Sequence, residues 1–109
     1  MVKNIPLTVF PVKDVEKAKV FYSTFLGTEP YVDGSYYVGY KVGEQEIGLD
    51  PNANDGPIVY IDTADIKSSI SEMLEAGAEV VQDPQDVGAG LLIAKLKDAD
   101  GNTVGLRQS

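Results

Sequence analysis

The sequence predicts an α+β fold made of two tandem βαβββ modules in one domain, about residues 1–52 and 57–109, joined by a linker at 50–57. Three observations carry this. The order strand, helix, three strands reads twice along the chain. Seven residues separate Leu7 from Asp14 in the first half and Ile58 from Asp65 in the second. Near the close of the halves, Ile47-Gly48-Leu49 is answered by Val104-Gly105-Leu106.

Taken in order, Leu7 to Val12 reads as a strand, and Asp14 is a helix N-cap with Glu16 in the first turn, beside the helix's positive end. Val15, Ala18, Phe21, Tyr22, Phe25 and Leu26 recur at helical spacing, and Gly27 stands just past them as a stop. Extended pieces follow at Glu29 to Asp33, Tyr36 to Val42 and Gln45 to Asp50, separated by the turn dipeptides Asp33-Gly34 and Gly43-Glu44. The run DPNANDGP has the composition of a linker. Beyond it come a strand at Ile58 to Asp62 and a helix from Asp65 with Ile66, Ile70, Met73 and Leu74 on one face, stopped by Gly77. Strands at Glu79 to Gln82, Leu91 to Lys97 and Thr103 to Arg107 complete the second half.

Composition restricts the chemistry. At 43% hydrophobic and 24% charged, the chain reads as an ordinary soluble domain. The start, MVKNIPLTVFPV, lacks the apolar run of a signal peptide, and no stretch reaches the roughly 18 apolar residues of a membrane span, so cytoplasm without membrane attachment is the expectation. Absence of cysteine removes disulfides, thiolate metal sites and cysteine nucleophiles. Absence of histidine removes the commonest general base and the commonest transition-metal ligand, leaving carboxylates, Lys, Tyr, Ser and Thr. A net charge of -8 with nine scattered basic residues argues against nucleic acid as a partner; it keeps the chain soluble and suits a cationic ligand.

The entry Val12-Lys13-Asp14 into a helix bearing Phe21-Tyr22 and Leu26-Gly27, together with the Asp98 to Asn102 turn, resembles the vicinal oxygen chelate superfamily: glyoxalases, extradiol dioxygenases and bleomycin-resistance proteins. The resemblance covers essentially the whole chain; the turn carries Ala99 where the family often has Pro. It implies an incomplete eight-stranded barrel around a cavity, often within a homodimer. In the family's enzymes, four side chains from the first and last strands of each module hold a divalent metal. Those positions fall near Leu7, Gly48, Ile58 and Gly105, and a slip of one residue gives Thr8, Ile47, Val59 and Val104. Neither set offers a carboxylate or an imidazole, so no metal and no other cofactor is expected, and the resemblance is nearest the metal-free bleomycin-resistance branch. Glu46, Asp50 and Asp62 remain as displaced carboxylates.

Strand alternation separates the faces without the family. Ile47 with Leu49, Val59 with Ile61, and Val104 with Leu106 should lie under the helices, joined by Phe10 and by Tyr36, Val38, Tyr40 and Val42. The opposite, cavity face then carries Leu7, Val9, Glu46, Gly48, Asp50, Ile58, Tyr60, Asp62, Thr103, Gly105 and Arg107. A Gly43-Glu44 hairpin pairs Val42 with Gln45, Lys41 with Glu46 as a cross-strand ion pair, Gly39 with Gly48 and Tyr37 with Asp50. Tyr37 and Tyr60 either fill the cavity or line a ligand; Arg107 is either solvated or an anion contact.

The candidate ligand-binding residues are therefore Leu7, Val9, Tyr37, Glu46, Gly48, Asp50, Ile58, Tyr60, Gly105 and Arg107, with no catalytic residue assigned. The leading expectation is a metal-free small-molecule binder that sequesters a cationic or aromatic ligand by stacking and charge in a barrel or dimer-interface cavity, which needs no tuned acid or base. The alternatives are a glyoxalase-like lyase, isomerase or dioxygenase working through Glu46 or Asp50, and a non-catalytic dimeric module whose cavity is packed shut by Leu7, Val9, Ile58 and Tyr60.

Overall fold

Each half of the chain folds in the order its sequence dictates, strand, helix, three strands. A computed structural model describes residues 4–54 and 56–109. Residues 1–3 of the first predicted module and Asp55 of the predicted linker lie outside the described residues. Two compact units result, one containing residues 6–58 and the other residues 59–109.

The first unit runs β1 (Leu7–Pro11), α1 (Val15–Leu26), β2 (Val32–Asp33), β3 (Val38–Val42) and β4 (Gln45–Asp50). Asp14 stands just outside α1 in an extended conformation, φ -123 and ψ 104, and its carboxylate accepts the N–H groups of Glu16 and Lys17 at 3.1 and 3.2 Å. Two of the helix's unpaired donors are thereby satisfied. The far end closes at Gly27, whose φ of 72 lies in the left-handed region and whose N–H donates to the Ser23 carbonyl. Because α1 carries the chain back across the sheet, β1 and β4 pair in parallel, Leu7 opposite Glu46 through Pro11 opposite Asp50. The strand order in this half is β2-β3-β4-β1.

Val38, Tyr40 and Leu49 are fully buried on the helix side, with Phe10, Val15, Ala18, Tyr22, Leu26 and Ile47 against them. Each buried apolar side chain of this size contributes about 1.5–3 kcal/mol through burial. Tyr40 keeps its hydroxyl satisfied there, 2.9 Å from the Ser23 hydroxyl and donating to the Lys19 carbonyl at 3.3 Å. Two groups expected in this core lie outside it. Phe21 and Phe25 are 61% and 71% exposed, stacked on each other at 6.0 Å, because positions 15, 18, 22 and 26 already span the stripe that a helix can turn toward a sheet. Tyr36 and Val42 are also exposed: Tyr36 precedes β3, and Val42 ends it at the hairpin.

The second half of the chain runs β5 (Ile58–Asp62), α2 (Ile66–Glu75), β6 (Glu79–Asp86), β7 (Leu92–Lys97) and β8 (Thr103–Gln108), all but Ile58 within the second unit. Asp65 caps α2 by accepting the Ser68 N–H at 3.2 Å, and the Gln108 side-chain carbonyl accepts that of Ile66 at 2.6 Å. Strands β5 and β8 are parallel, and the order in this half is β5-β8-β7-β6. Ile66, Ala94, Leu96 and Leu106 form the buried core, with Ile70, Met73, Ala78, Leu92 and Val104 packed on it. Leu74, expected on this face, is 47% exposed. Strand β6 extends four residues past the predicted Gln82, through Pro84, because the second of two register shifts against β7, between Gln82 and Gln85, accommodates a residue that has no N–H to donate. Among the described residues no helix is long and apolar enough to cross a membrane.

Candidate functional site

The parallel pair at the heart of each unit places a glycine on its last strand opposite a residue of its first. Val9 lies opposite Gly48, and Tyr60 lies opposite Gly105. Both glycines are buried. In each case a tyrosine ring occupies the space that a side chain on the glycine would need. A β-carbon built on Gly48 would stand 2.7 Å from Cζ of Tyr37, and one on Gly105 would stand 2.9 Å from Cγ of Tyr60. Neither separation is sterically tolerable without movement of the ring. The two tyrosines arrive by different routes, since Tyr60 sits on the neighbouring strand, whereas Tyr37 reaches Gly48 from the residue preceding β3.

The β3–β4 ladder has the expected register from Val42 opposite Gln45 to Val38 opposite Leu49, and ends one pair short of Tyr37 and Asp50. The Tyr37 carbonyl accepts the Gly34 N–H at 3.0 Å in the β2–β3 turn, and its ring lies over Gly39 and Gly48. The absence of side chains on that glycine pair, which face each other across β3 and β4, makes the bed for the ring.

Around this bed the first unit gathers a polar aromatic group. Tyr31 donates its hydroxyl to Glu46 Oε1 at 2.8 Å, and the Lys41 ammonium stands 4.7 Å from the centre of the Tyr31 ring. Lys41 and Glu46 are cross-strand neighbours as the hairpin register requires, and Tyr31 bridges them, by its face to the cation and by its hydroxyl to the carboxylate. Tyr31 is 49% exposed and Glu46 half-buried. Sequence reasoning missed Tyr31; the signal was its position in the segment before β2, too short and irregular for alternation to assign a face.

The remaining candidates have other occupations. Asp50 ends β4, where its carboxylate accepts the Asn52 N–H at 2.8 Å and its carbonyl accepts that of Val12 at 3.1 Å. Arg107 lies opposite Asp62 and grips it with two nitrogens, Nε at 2.8 Å and Nη2 at 3.3 Å. Leu7, Val9, Ile58 and Tyr60 are all buried. The polar group of the first unit therefore comprises Tyr31, Tyr37, Lys41 and Glu46.

Away from this face, Lys19 bridges Glu16 and Asp33, each at 2.9 Å. The hydrogen bond to Glu16, and next that to Asp33, hold its ammonium well above the ordinary lysine range.

The whole sequence from residue 4 to residue 106 matches the glyoxalase/bleomycin resistance protein/dioxygenase superfamily. The chain belongs to that superfamily. Solved structures of the same fold include a hypothetical protein from Bacillus halodurans C-125, with a TM-score of 0.80 at 17% identity over 100% of this chain and 96% of that one. A Legionella pneumophila structure described as an NAD-dependent benzaldehyde dehydrogenase gives 0.74 at 17% identity, over 94% of this chain and 96% of that one. A variant of Streptomyces coelicolor methylmalonyl-CoA epimerase in complex with 2-nitronate-propionyl-CoA gives 0.72 at 16% identity, over 100% and 99%. These likenesses establish the fold. No curated protein matches the sequence at a significant level.

The positions near which the resemblance implies metal ligands, Leu7, Gly48, Ile58 and Gly105, carry residues that do not fit a divalent cation. Two are aliphatic; the other two have no side chain and lie beneath tyrosine rings. The displaced carboxylates do not restore a site. Glu46 accepts a tyrosine hydroxyl, Asp50 caps the end of its strand, and Asp62 is held by Arg107. Among the described residues no group of three acidic side chains is arranged to hold a metal ion.

Proposed function

We propose that this superfamily member binds a small cationic or aromatic organic molecule without a metal ion, and that the tyrosine face of its first module supplies the contacts. The observation that carries the reading is the pair of rings, Tyr37 over Gly48 and Tyr60 over Gly105, standing where an enzyme of the superfamily would set metal-binding side chains. Beside the first of them, the half-exposed Tyr31 ring and the Glu46 carboxylate offer an electron-rich face and a negative charge 2.8 Å from its phenol oxygen. Such a pair attracts an organic cation through the ring quadrupole and the carboxylate together. Lys41 occupies the ring face in the free protein, so a ligand cation competes with it. Binding of this kind needs no tuned acid or base, which agrees with a chain that has no histidine and no cysteine. The activity resembles that of the bleomycin-resistance branch, and we place it in the cytoplasm.

Calorimetry with chelator-treated protein tests the proposal. Benzyltrimethylammonium is expected to bind and benzoate not. Tyr31→Ala and Glu46→Gln are each expected to raise Kd roughly 2- to 30-fold, equivalent to about 0.5–2 kcal/mol for a cation at a partly desolvated ring. A cation that binds only after manganese or zinc is added, or one indifferent to both substitutions, contradicts it.

A further inference from the structure

The duplicated architecture allows the two helix-side cores to be compared place by place. Counting from Asp14 and Asp65, the two helix caps, Ile61 takes the place of Phe10, Ser69 that of Ala18 and Met73 that of Tyr22. Strand register extends the comparison. Tyr40 faces Ile47 as Leu96 faces Val104, and Val38 faces Leu49 as Ala94 faces Leu106. Every aromatic residue in the first core is thus replaced by an aliphatic one in the second, and a valine by an alanine. In the first core the rings of Phe10 and Tyr22 pack at 5.4 Å and Tyr40 is fully buried. The second core has no ring among its buried or packed residues.

Beside two of those replaced positions, Ile61 and Met73, lies a cavity. It measures about 140 Å³ and lies between α2 and the β5–β8 pair, walled by Ile61, Met73, Val104 and Leu106, with Ser69 and Glu72 at its polar points. Ile61 and Met73 occupy the places of Phe10 and Tyr22, whose rings pack tilted against each other, so the space adjoins the positions where the first module keeps its two rings. The Ser69 hydroxyl is already engaged, 2.6 Å from that of Thr63, and demands nothing from an occupant. Glu72 is exposed and supplies a negative charge at the rim. An enclosed apolar cavity of roughly 150 Å³ accepts benzene; this one is of similar volume and apolar-walled, and it opens to solvent at the Glu72 rim.

We propose that this cavity is a second binding site, for a single six-membered ring or an alkyl group of like size, with an ammonium substituent preferred over a carboxylate because Glu72 stands at its edge. The ligand ring takes the part in the second core that the Phe10 and Tyr22 rings take in the first. The site is separate from the tyrosine face of the first module and does not depend on what that face binds.

The test follows the methyl groups of Ile61 and Met73 by carbon–proton NMR while benzene, benzylamine and benzoate are added, all in a Tyr31→Ala background so that the first module does not contribute. Both methyl signals are expected to shift saturably with benzene and more tightly with benzylamine, and to stay still with benzoate. Glu72→Gln is expected to weaken benzylamine roughly two- to fivefold and leave benzene unchanged, as for a partly exposed ion pair. Met73→Tyr restores the residue of the first module and is expected to raise Kd for benzene at least about tenfold. Val104→Ile, which adds a methyl group to a residue of the cavity wall, is expected to weaken benzene as well and provides the filling test if Met73→Tyr does not fold. Methyl signals that remain fixed up to the solubility limit of benzene, or shifts that persist undiminished in the filled variant, overturn the proposal.

Discussion

A β-carbon on Gly105 would overlap the Tyr60 ring along its edge, at Cδ2 and Cε2 first and then at Cγ, whereas one on Gly48 would overlap the free end of Tyr37, at Oη first and then at Cζ, on a side chain carried by the residue before β3. The two Gly→Ala substitutions therefore differ in cost. Alanine gains about 0.5–1 kcal/mol over glycine by restricting the unfolded chain. At Gly48 a small swing of the Tyr37 ring offsets most of the overlap, so the net change should stay below about 1 kcal/mol. At Gly105 the overlap runs along one whole edge of the ring, from Cε2 back to Cγ beside its anchor, so a small swing relieves little of it, and overpacking of this kind costs about 1–3 kcal/mol. Urea denaturation of the two variants should rank Gly105→Ala as clearly the less stable; equal midpoints contradict the packing described here. From the sequence, the glycines themselves were legible as gaps on one face, since they sit in matching triplets. What covers them was legible only in part. Tyr60 is fixed by strand alternation, and the hairpin register puts Tyr37 on the face of Gly39 and Gly48; that its ring folds back over Gly48 is what no periodicity shows.

At the level of elements, caps and turns were read most reliably because their signals are local. Asp14, Gly27 and Asp65 each act where their side-chain chemistry or backbone freedom requires. The Asp98 to Asn102 turn shows the same logic. The Asp98 carboxylate accepts the N–H groups of Asp100 at 2.9 Å and Asn102 at 2.8 Å, and the Asn102 side-chain amide at 3.0 Å. The side-chain bond from Asn102 is the main reason its carboxyl lies below the ordinary value of 3.8, with the backbone donors adding to it. A carboxyl depressed in the folded state stabilises the fold above its unfolded pKa and loses that contribution as pH falls through the lower, folded value. Asp98→Asn is therefore expected to lower the melting temperature at pH 7, and the difference from the parent should shrink toward zero below about pH 4. A difference that persists unchanged into acid contradicts the hydrogen-bonded carboxylate. Helix faces were less legible than caps. Apolar spacing marked Phe21, Phe25 and Leu74 as core candidates, yet a helix resting on a sheet buries one stripe, and these residues fall beyond its edge. The extension of β6 through Pro84 was illegible for a related reason, since proline forbids a regular ladder but not a bulged edge.

Over the whole molecule, the duplication is the feature from which the rest follows. It was legible because the cap spacing and the closing triplets repeat together, and the fold it implies is the fold observed. The differences between the halves carry the functional information. One half keeps aromatic rings under its helix and a tyrosine, lysine and glutamate group on its other face; the other keeps an apolar cavity under its helix and an Arg107–Asp62 pair. The cavity could not be read from either half alone, because volume emerges only when the two cores are set side by side. The central claim concerns the positions that superfamily enzymes devote to a cation, here aliphatic or covered by tyrosine. It is tested most directly by equilibrating chelator-treated protein with manganese, iron, nickel and zinc, separating free ions by gel filtration, and measuring metal per chain by elemental analysis. The account predicts well below one ion per chain for each metal; a full equivalent of any of them retained by the folded protein contradicts it.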